Sequence, residues 1–328
     1  MTTRPRYLLF GRAPRAPLAP TSRPDWMEAN PIRIARALER ASLKPSGGWA
    51  VLDATDRITK PRKFNVAGRE LVAWPGVDGV RVAPEECPHM GASLCDGHVD
   101  KKGRIVCPWH GLALGGQRGT WAPLTSHDDG VLTWVRMPEL LAPGEDPLDA
   151  PILAARPDNP LSGVIRIEAR CEPRDVIANR LDPWHGVHFH PHSFLALRVL
   201  EEGSDHITVR VVYKVLGPLA MEVDARFDCP DPRTIVMTIV DGDGKGSVVE
   251  THATPIDHET TAVIEATLAT SDRPGFSAIR KAQRALRPFI ERRAARLWEE
   301  DKDYAERTYA LRQRTRLPVV ETKSEGTG

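Results

Sequence analysis

An excess of charge of either sign is missing from this chain: 45 basic and 44 acidic residues leave a formal net charge of +1 over 328 residues. A surface so balanced has no global field to gather nucleic acid or an anionic membrane, and neither is expected as a partner. Long apolar runs are missing too. None reaches the roughly 18 residues that mark a membrane-spanning helix, so no span is expected. Acidic residues are absent from the first two dozen positions, where Arg and Pro prevail until Asp25. The longest apolar run there, Tyr7-Leu8-Leu9-Phe10, is too short for the core of a signal peptide. This stretch reads as a poorly ordered or wrapping arm on a cytoplasmic protein. Cysteines are few and odd in number: Cys87, Cys95, Cys107, Cys171 and Cys229. An odd count in a large intracellular chain argues against a disulfide framework and leaves metal ligation open. No internal repeat and no flavin or nicotinamide fingerprint is present, so any reducing equivalents must come from outside.

What is there is ordinary globular composition, 41% apolar and 27% charged, in a length that suits one large domain or two ordinary ones. Apolar and basic positions recur at helical spacing from Asn30 to Leu43 and stop at Pro45-Ser46-Gly47-Gly48. From Trp49 to about Val135 the text turns to short strand-like pieces separated by Gly and Asp turns, which reads as a small all-β domain. A Pro-rich connection (Pro143, Pro147, Pro151, Pro157, Pro160) follows. The second half opens with a strand at Val164 to Ala169 and a helix started by Pro173. β-rich segments run from Phe194 to Thr270, with Ile207 to Tyr213 and Thr234 to Val240 read as adjacent strands. Gly275 to about Gln313 is helical, with a break expected at Pro288. The class is α+β, one antiparallel sheet wrapped on a long C-terminal helix.

Chemistry concentrates in two places. The first is Cys87-Pro88-His89, then 17 residues, then Cys107-Pro108-Trp109-His110. Two Cys–His pairs put two thiolates and two imidazoles at the tips of two loops. Thiolates suit a sulfide-bridged iron, and neutral imidazoles on the second iron make it easier to reduce, to roughly −150 to +300 mV against about −400 mV for plant-type ferredoxins. A zinc site is the competing reading, but zinc prefers a C-x₂₋₄-C half, and C-x-H is an awkward start. The segment resembles the Rieske family over about a hundred residues, through Gly91-Ala92, Leu94, Gly97, Val99 and the run from Ile105 to Gly111. The resemblance implies that Cys87, His89, Cys107 and His110 hold a [2Fe–2S] cluster. Respiratory Rieske proteins carry an extra disulfide between these loops; here Trp109 stands where one of its cysteines would be. That points to the oxygenase and ferredoxin branch and leaves Cys95 as a small packed thiol.

The second place is the stretch from Asn179 to His192, with four histidines within eight residues beside Asp182. A non-haem Fe(II) that activates O₂ takes two His and one carboxylate on one face. On a regular helix His185 and His188 share a face, whereas residues five apart diverge by about 140°. Asp182-Pro183 and Gly186, however, predict a broken helix here. The pattern N-x-x-D-x-x-H-x-x-x-x-H on Asn179, Asp182, His185 and His190 resembles the mononuclear iron motif of Rieske oxygenases, especially the O-demethylase and pheophorbide-oxygenase branch. His188 and His192 are then local hydrogen-bonding or pocket residues. Along the late helix the stripe Ile290, Ala294, Leu297, Asp301, Tyr304 and Ala305 places Asp301 on the buried face and Asp303 nearly opposite. A lone buried carboxylate is costly unless paired or coordinated, and the segment resembles the family's third-ligand helix. Asp241 to Gly246 reads as a hairpin turn, since His252 stands where a calcium loop needs Glu. Seven basic residues between Arg280 and Arg296 read as a solvated helix face.

The resemblance divides the chain into an arm and helix (1–46), a Rieske domain (47–145), a helix-grip-like catalytic domain (160–318) and a tail (319–328). It implies the oxygenase component of a Rieske monooxygenase that hydroxylates or demethylates an apolar or aromatic small molecule with O₂. A separate ferredoxin or NAD(P)H-dependent reductase would feed it, and a head-to-tail homotrimer would join the cluster of one subunit to the iron of the next across Asp182, its carboxylate accepting from His185 on one side and from His110 of the partner subunit on the other. The alternative is a Rieske electron carrier without oxygenase activity of its own.

Overall fold

The computed structural model describes residues 8–9, 29–203, 206–216 and 219–316. The expected C-terminal tail lies outside these residues, as does the N-terminal arm except for Leu8–Leu9, which pairs in parallel with Leu219–Ala220. Helix α1 (Pro31–Ser42) starts where a short polar side chain precedes a proline. Asn30 Oδ1 accepts hydrogen bonds from the Ile32 and Arg33 N–H groups, each 3.1 Å away. Its Ile34, Ala37 and Leu38 pack on the core of the second half.

The small β domain holds three three-stranded sheets. Its first strand, Trp49–Ala54, is buried at every position, a pattern that a half-solvated strand cannot carry. Ala50 and Leu52 point into the domain's own core, while Trp49, Val51 and Ala54 join Val164, Ala262, Ile264 and Ala266 of the large sheet. One strand therefore belongs to two cores, and the two halves pack through it.

The large sheet runs, edge to edge, Leu161–Ala169, Thr261–Ala269, Val248–Pro255, Thr234–Gly242, Leu219–Asp231, His206–Leu216 and Phe194–Glu202, each pair antiparallel. The expected adjacency of the strands at Ile207 and Thr234 fails, because Leu219–Asp231 inserts between them. Its polar alternates Glu222, Asp224, Arg226 and Asp228 give a period of two, so the segment reads as a strand of its own between the other two. The 241–246 segment lies at the hairpin between Thr234–Gly242 and Val248–Pro255.

Helices α2 (Pro173–Arg180) and α3 (His185–Phe189) flank Asp182-Pro183, and α4 (Phe276–Lys281) precedes the long α5 (Gln283–Arg316). Pro288 does not break α5; it lies inside it. Pro288 and Arg284 both face solvent, where water can take the carbonyl that the missing N–H leaves free. The helix lies close on the sheet. A Cβ at Gly163 would come within 2.9 Å of Ile290 Cγ2.

A buried polar group fastens the two halves. Arg156 donates to Glu250 (2.5 and 2.6 Å) and pairs with Asp129 (2.8 Å), both acids having side chains only 1% exposed. Burial alone would push both carboxyls up, but the Arg156 bonds outweigh it and hold both below the ordinary range. Their stabilisation is therefore complete above the unfolded carboxylate value of about 4 and is lost as the pH falls through the lower folded values. We predict that Arg156→Met costs about 3–5 kcal/mol in urea unfolding at pH 7, since it leaves two buried acids without their cation. The gap from the parent should narrow as the pH falls below about 4. A variant within about 0.5 kcal/mol of the parent at neutral pH would show that the junction does not depend on this group.

Candidate functional site

Two loops of the β domain share one hydrogen-bond plan. In the first, Gly91 N–H donates to the Cys87 carbonyl (2.9 Å) and Cys87 N–H to the Ala92 carbonyl (2.9 Å). In the second, Gly111 donates to Cys107 (3.0 Å) and Cys107 to Leu112 (2.9 Å). Each tight loop closes through a glycine of positive φ, 77° at Gly91 and 69° at Gly111, which a side chain would strain. Cys87 and Cys107 are buried at the loop bases, and His89 and His110 are exposed with their Nδ1 atoms 3.2 Å apart. The backbone N–H groups of His89 and Met90 point at the Cys87 sulfur, and those of Trp109 and His110 at the Cys107 sulfur. Burial raises the Cys87 thiol; at Cys107 the N–H donors and the Cys87 contact outweigh burial and lower it. Two sulfurs inside a ring of amide donors and two imidazoles at the rim fit a cluster that meets an electron partner through its histidine edge. Cys95 is partly buried beside this core, 3.2 Å from Ser93 Oγ.

The second site lies between the helix break after α2 and the middle of α5. Pro173 opens α2, Glu172 N–H donates to Asp175 Oδ2 (3.0 Å), and Arg312 of α5 pairs with both acids. That clamp lays α2 on α5. Asn179 then meets Asp301, its Nδ2 donating to Oδ1 at 3.1 Å. His185 Nε2 reaches the same oxygen at 2.9 Å and His190 Nε2 at 2.8 Å. The ligating atoms of His185, His190 and Asp301 lie within 4.8 Å of one another. Asp301 is 3% exposed. Burial would push its carboxyl up, but the bonds and charges of both histidines reverse this and hold it ionised far below the usual range. At His190 burial works downward, and Asp301 and Glu300 together raise it.

The second nitrogen of each histidine is also engaged. His190 Nδ1 is 2.6 Å from Glu300 Oε2, and His185 Nδ1 bonds the main-chain carbonyl of Asp182. With both Nδ1 atoms held, the Nε2 atoms are the ones left to ligate. A 2-His-1-carboxylate set with both imidazoles oriented in this way fits a non-haem Fe(II). The resemblance implied that the Asp182 carboxylate would accept from His185; here the backbone oxygen does so, and Asp182 Oδ2 stands 3.9 Å away. Tyr304 stacks on His185 (5.2 Å between rings) and its hydroxyl donates to Asp182 Oδ2 at 3.4 Å. Asp182 Oδ1 is buried with no hydrogen-bond partner, as is Asn179 Oδ1. Burial raises the Asp182 carboxyl, against the lowering pull of His185 and Arg33.

Of the remaining histidines, His188 is exposed with its ring against Trp184, 5.6 Å away, and it does not join the set. His192 is half-buried, its Nε2 3.8 Å from Glu300 Oε2. Asp303 is exposed. Two residues escaped the sequence reading. Trp298 is the fully buried anchor of α5, with Nε1 donating to Glu265 Oε2 at 2.6 Å, and it lies one place beyond the expected Leu297. Glu300 stood in plain view beside Asp301, but one-dimensional periodicity gave it no partner.

A family model described as a Rieske [2Fe-2S] domain matches residues 48–129, and one described as a domain of unknown function (DUF5914) matches residues 142–316. The chain belongs to the DUF5914 family, with a Rieske domain ahead of it. It is 28% identical over 203 residues to the vanillate O-demethylase oxygenase subunit of a Pseudomonas species, covering 53% of this chain and 55% of that one. The chain spans about half or less of the length of the first curated relatives it matches. Among solved structures it superposes on dicamba monooxygenase bound to dicamba with a TM-score of 0.59 at 18% identity, covering 83% of this chain and 89% of that one. A complex of the oxygenase and ferredoxin of carbazole 1,9a-dioxygenase gives a TM-score of 0.51 at 13% identity, covering 87% of each chain. The fold is that of these two oxygenases. The Rieske domain carries a [2Fe–2S] cluster, and the His/His/Asp set is of the kind that holds a mononuclear iron.

Cys107→Ser is expected to abolish the reduced-state EPR signal of the cluster, because a hydroxyl replaces its thiolate poorly. An unchanged spectrum would remove Cys107 from the ligand set. His190→Ala and Asp301→Ala should keep the cluster spectrum and lose the additional iron, whereas His188→Ala should retain both. Iron retained in His190→Ala and lost in His188→Ala would reverse the choice of histidines.

Proposed function

We propose that this chain is the oxygenase component of a Rieske non-haem iron monooxygenase. The observation that carries the proposal is the convergence of His185, His190 and Asp301 on one point, in a chain that also carries a Rieske domain. Cys87, His89, Cys107 and His110 would hold the cluster, and His185, His190 and Asp301 the iron. When bound, the cluster supplies electrons singly, and the iron supplies open positions at which O₂ is reduced. Asn179 fixes the carboxylate oxygen of Asp301, and the Asp182 carbonyl and Glu300 fix the two imidazoles. Below the site Phe194 lies 6.1 Å from the His190 ring, and Tyr213 lies 5.1 Å from Phe194. Tyr213 donates its hydroxyl to Met237 Sδ at 3.4 Å, so the side chains packed beyond His190 are aromatic and thioether in character. Such surroundings would suit an apolar or aromatic small molecule that is hydroxylated or demethylated.

Electrons would come from a separate ferredoxin or an NAD(P)H-dependent reductase that docks on the exposed histidine edge, where Met90 and Trp109 are 64% and 62% exposed. Five cysteines, all free, suit a reducing cytoplasm. Among the described residues no helix is long and apolar enough to cross a membrane.

Assembly as a head-to-tail homotrimer would bring the cluster of one subunit to the iron of the next, a heterologous interface that closes into a ring. At that junction Asp182, beside His185 and Tyr304, would accept from His110 of the partner subunit. The competing role for Asp182 is a turn cap worth about 1 kcal/mol, which Asn would also fill. Asp182→Asn should therefore give a trimer with both metals bound and a reducible cluster, but with cluster-to-iron electron transfer slowed by orders of magnitude in single-turnover stopped flow. Cluster oxidation at the parent rate would contradict the bridging role. A chain that carries a reducible cluster and no third iron would instead be an electron carrier.

A further inference from the structure

The two histidines at the candidate iron site are held by acceptors of different charge. His185 Nδ1 bonds a neutral main-chain carbonyl, whereas His190 Nδ1 sits 2.6 Å from the Glu300 carboxylate. His190 has a 2% exposed side chain, so this bond lies where water competes little. Glu300 is itself held from the outside. Its Oε1 accepts from Arg296, one turn earlier on α5, at 3.3 Å, and its Oε2 is 3.8 Å from His192 Nε2.

The helix explains why the arrangement is possible. Glu300 and Asp301 are neighbours on α5 and differ by about 100° around its axis. Asp301 points inward to His190 Nε2 and Glu300 sideways to His190 Nδ1, so two consecutive acids grip opposite nitrogens of one imidazole. A ring gripped at both nitrogens cannot rotate about χ2 or flip. A carboxylate on the outer nitrogen also makes the inner one a stronger donor to a cation.

We propose that Glu300 is a positioning residue for the mononuclear iron, fixing the tautomer and ring orientation of His190 and raising its affinity for the metal. The proposal rests on the reading of His185, His190 and Asp301 as iron ligands. It predicts an asymmetric site in which the His190 arm, and not the His185 arm, has a carboxylate bonded directly to its outer nitrogen.

The test compares the parent with Glu300→Ala, Glu300→Gln and Arg296→Ala. Ferrous iron retention is measured against a colorimetric Fe(II) chelator, with the cluster absorbance as a check on folding. Glu300→Ala should bind the third iron about 10–100-fold more weakly than the parent while the cluster spectrum stays intact. Glu300→Gln keeps an acceptor oxygen without the charge and should recover part of that loss. Arg296→Ala, at an exposed position, should weaken iron binding less than Glu300→Ala. Parent-like iron affinity in Glu300→Ala would overturn the proposal, as would a Gln variant no better than Ala. A parent that holds only the two cluster irons would instead sink the ligand reading on which the proposal rests, and the two failures are told apart by that control.

Discussion

One carboxylate oxygen, Asp301 Oδ1, organises the C-terminal half of this molecule. It lies in the interior and gathers Asn179, His185 and His190, which arrive from two separate helices and the turn after the second. An ionised acid in such a place is tolerated only with full compensation. The local sequence is shaped to supply it. Pro173 starts α2 at the register that turns Asn179 inward. Asp182-Pro183 ends the helical run, so that His185 and His190, five apart, can converge rather than diverge. The length of α5 carries Asp301 under both, with Trp298 locked into the sheet one turn before it.

The other constraint is the shared strand Trp49–Ala54. Because its two faces serve two cores, the Rieske domain cannot pivot on the sheet without exposing Trp49 and Val51 on one side or Ala50 and Leu52 on the other. The Arg156 group beside it adds an electrostatic lock, and Arg233 donates to the Trp49 and Leu140 carbonyls from the sheet side. A fixed angle between the domains holds the Cys87 and Cys107 loops at a set distance from Asp301.

Much of the site was legible because its motifs are contiguous. C-P-H and C-P-W-H stand at the tips of two matching loops, and the N-x-x-D-x-x-H-x-x-x-x-H run carries its own helix breaker. Asp301 was legible for a different reason, since helical periodicity marked it as an acid on a buried face. What stayed hidden depends on contacts across the chain. The sheet order is one case: Leu219–Asp231 alternates polar and apolar residues as a strand does, but alternation alone does not say which strands pair. Pro288 was read as a break, but a proline whose freed carbonyl faces water can stay inside a helix. The Asp182 carboxylate yielded its expected bond to its own carbonyl, a difference of one atom type that no motif encodes. Glu300 was invisible for the same reason, for its role exists only once His190 has folded against α5.

Diffraction from crystals of the purified protein at the iron absorption edge tests the central claim most directly. Two separate anomalous peaks per chain are expected, one between the loops of Cys87 and Cys107 and one at the point shared by His185 Nε2, His190 Nε2 and Asp301. A map with density at the loops alone, or with the second peak on His188, would contradict it.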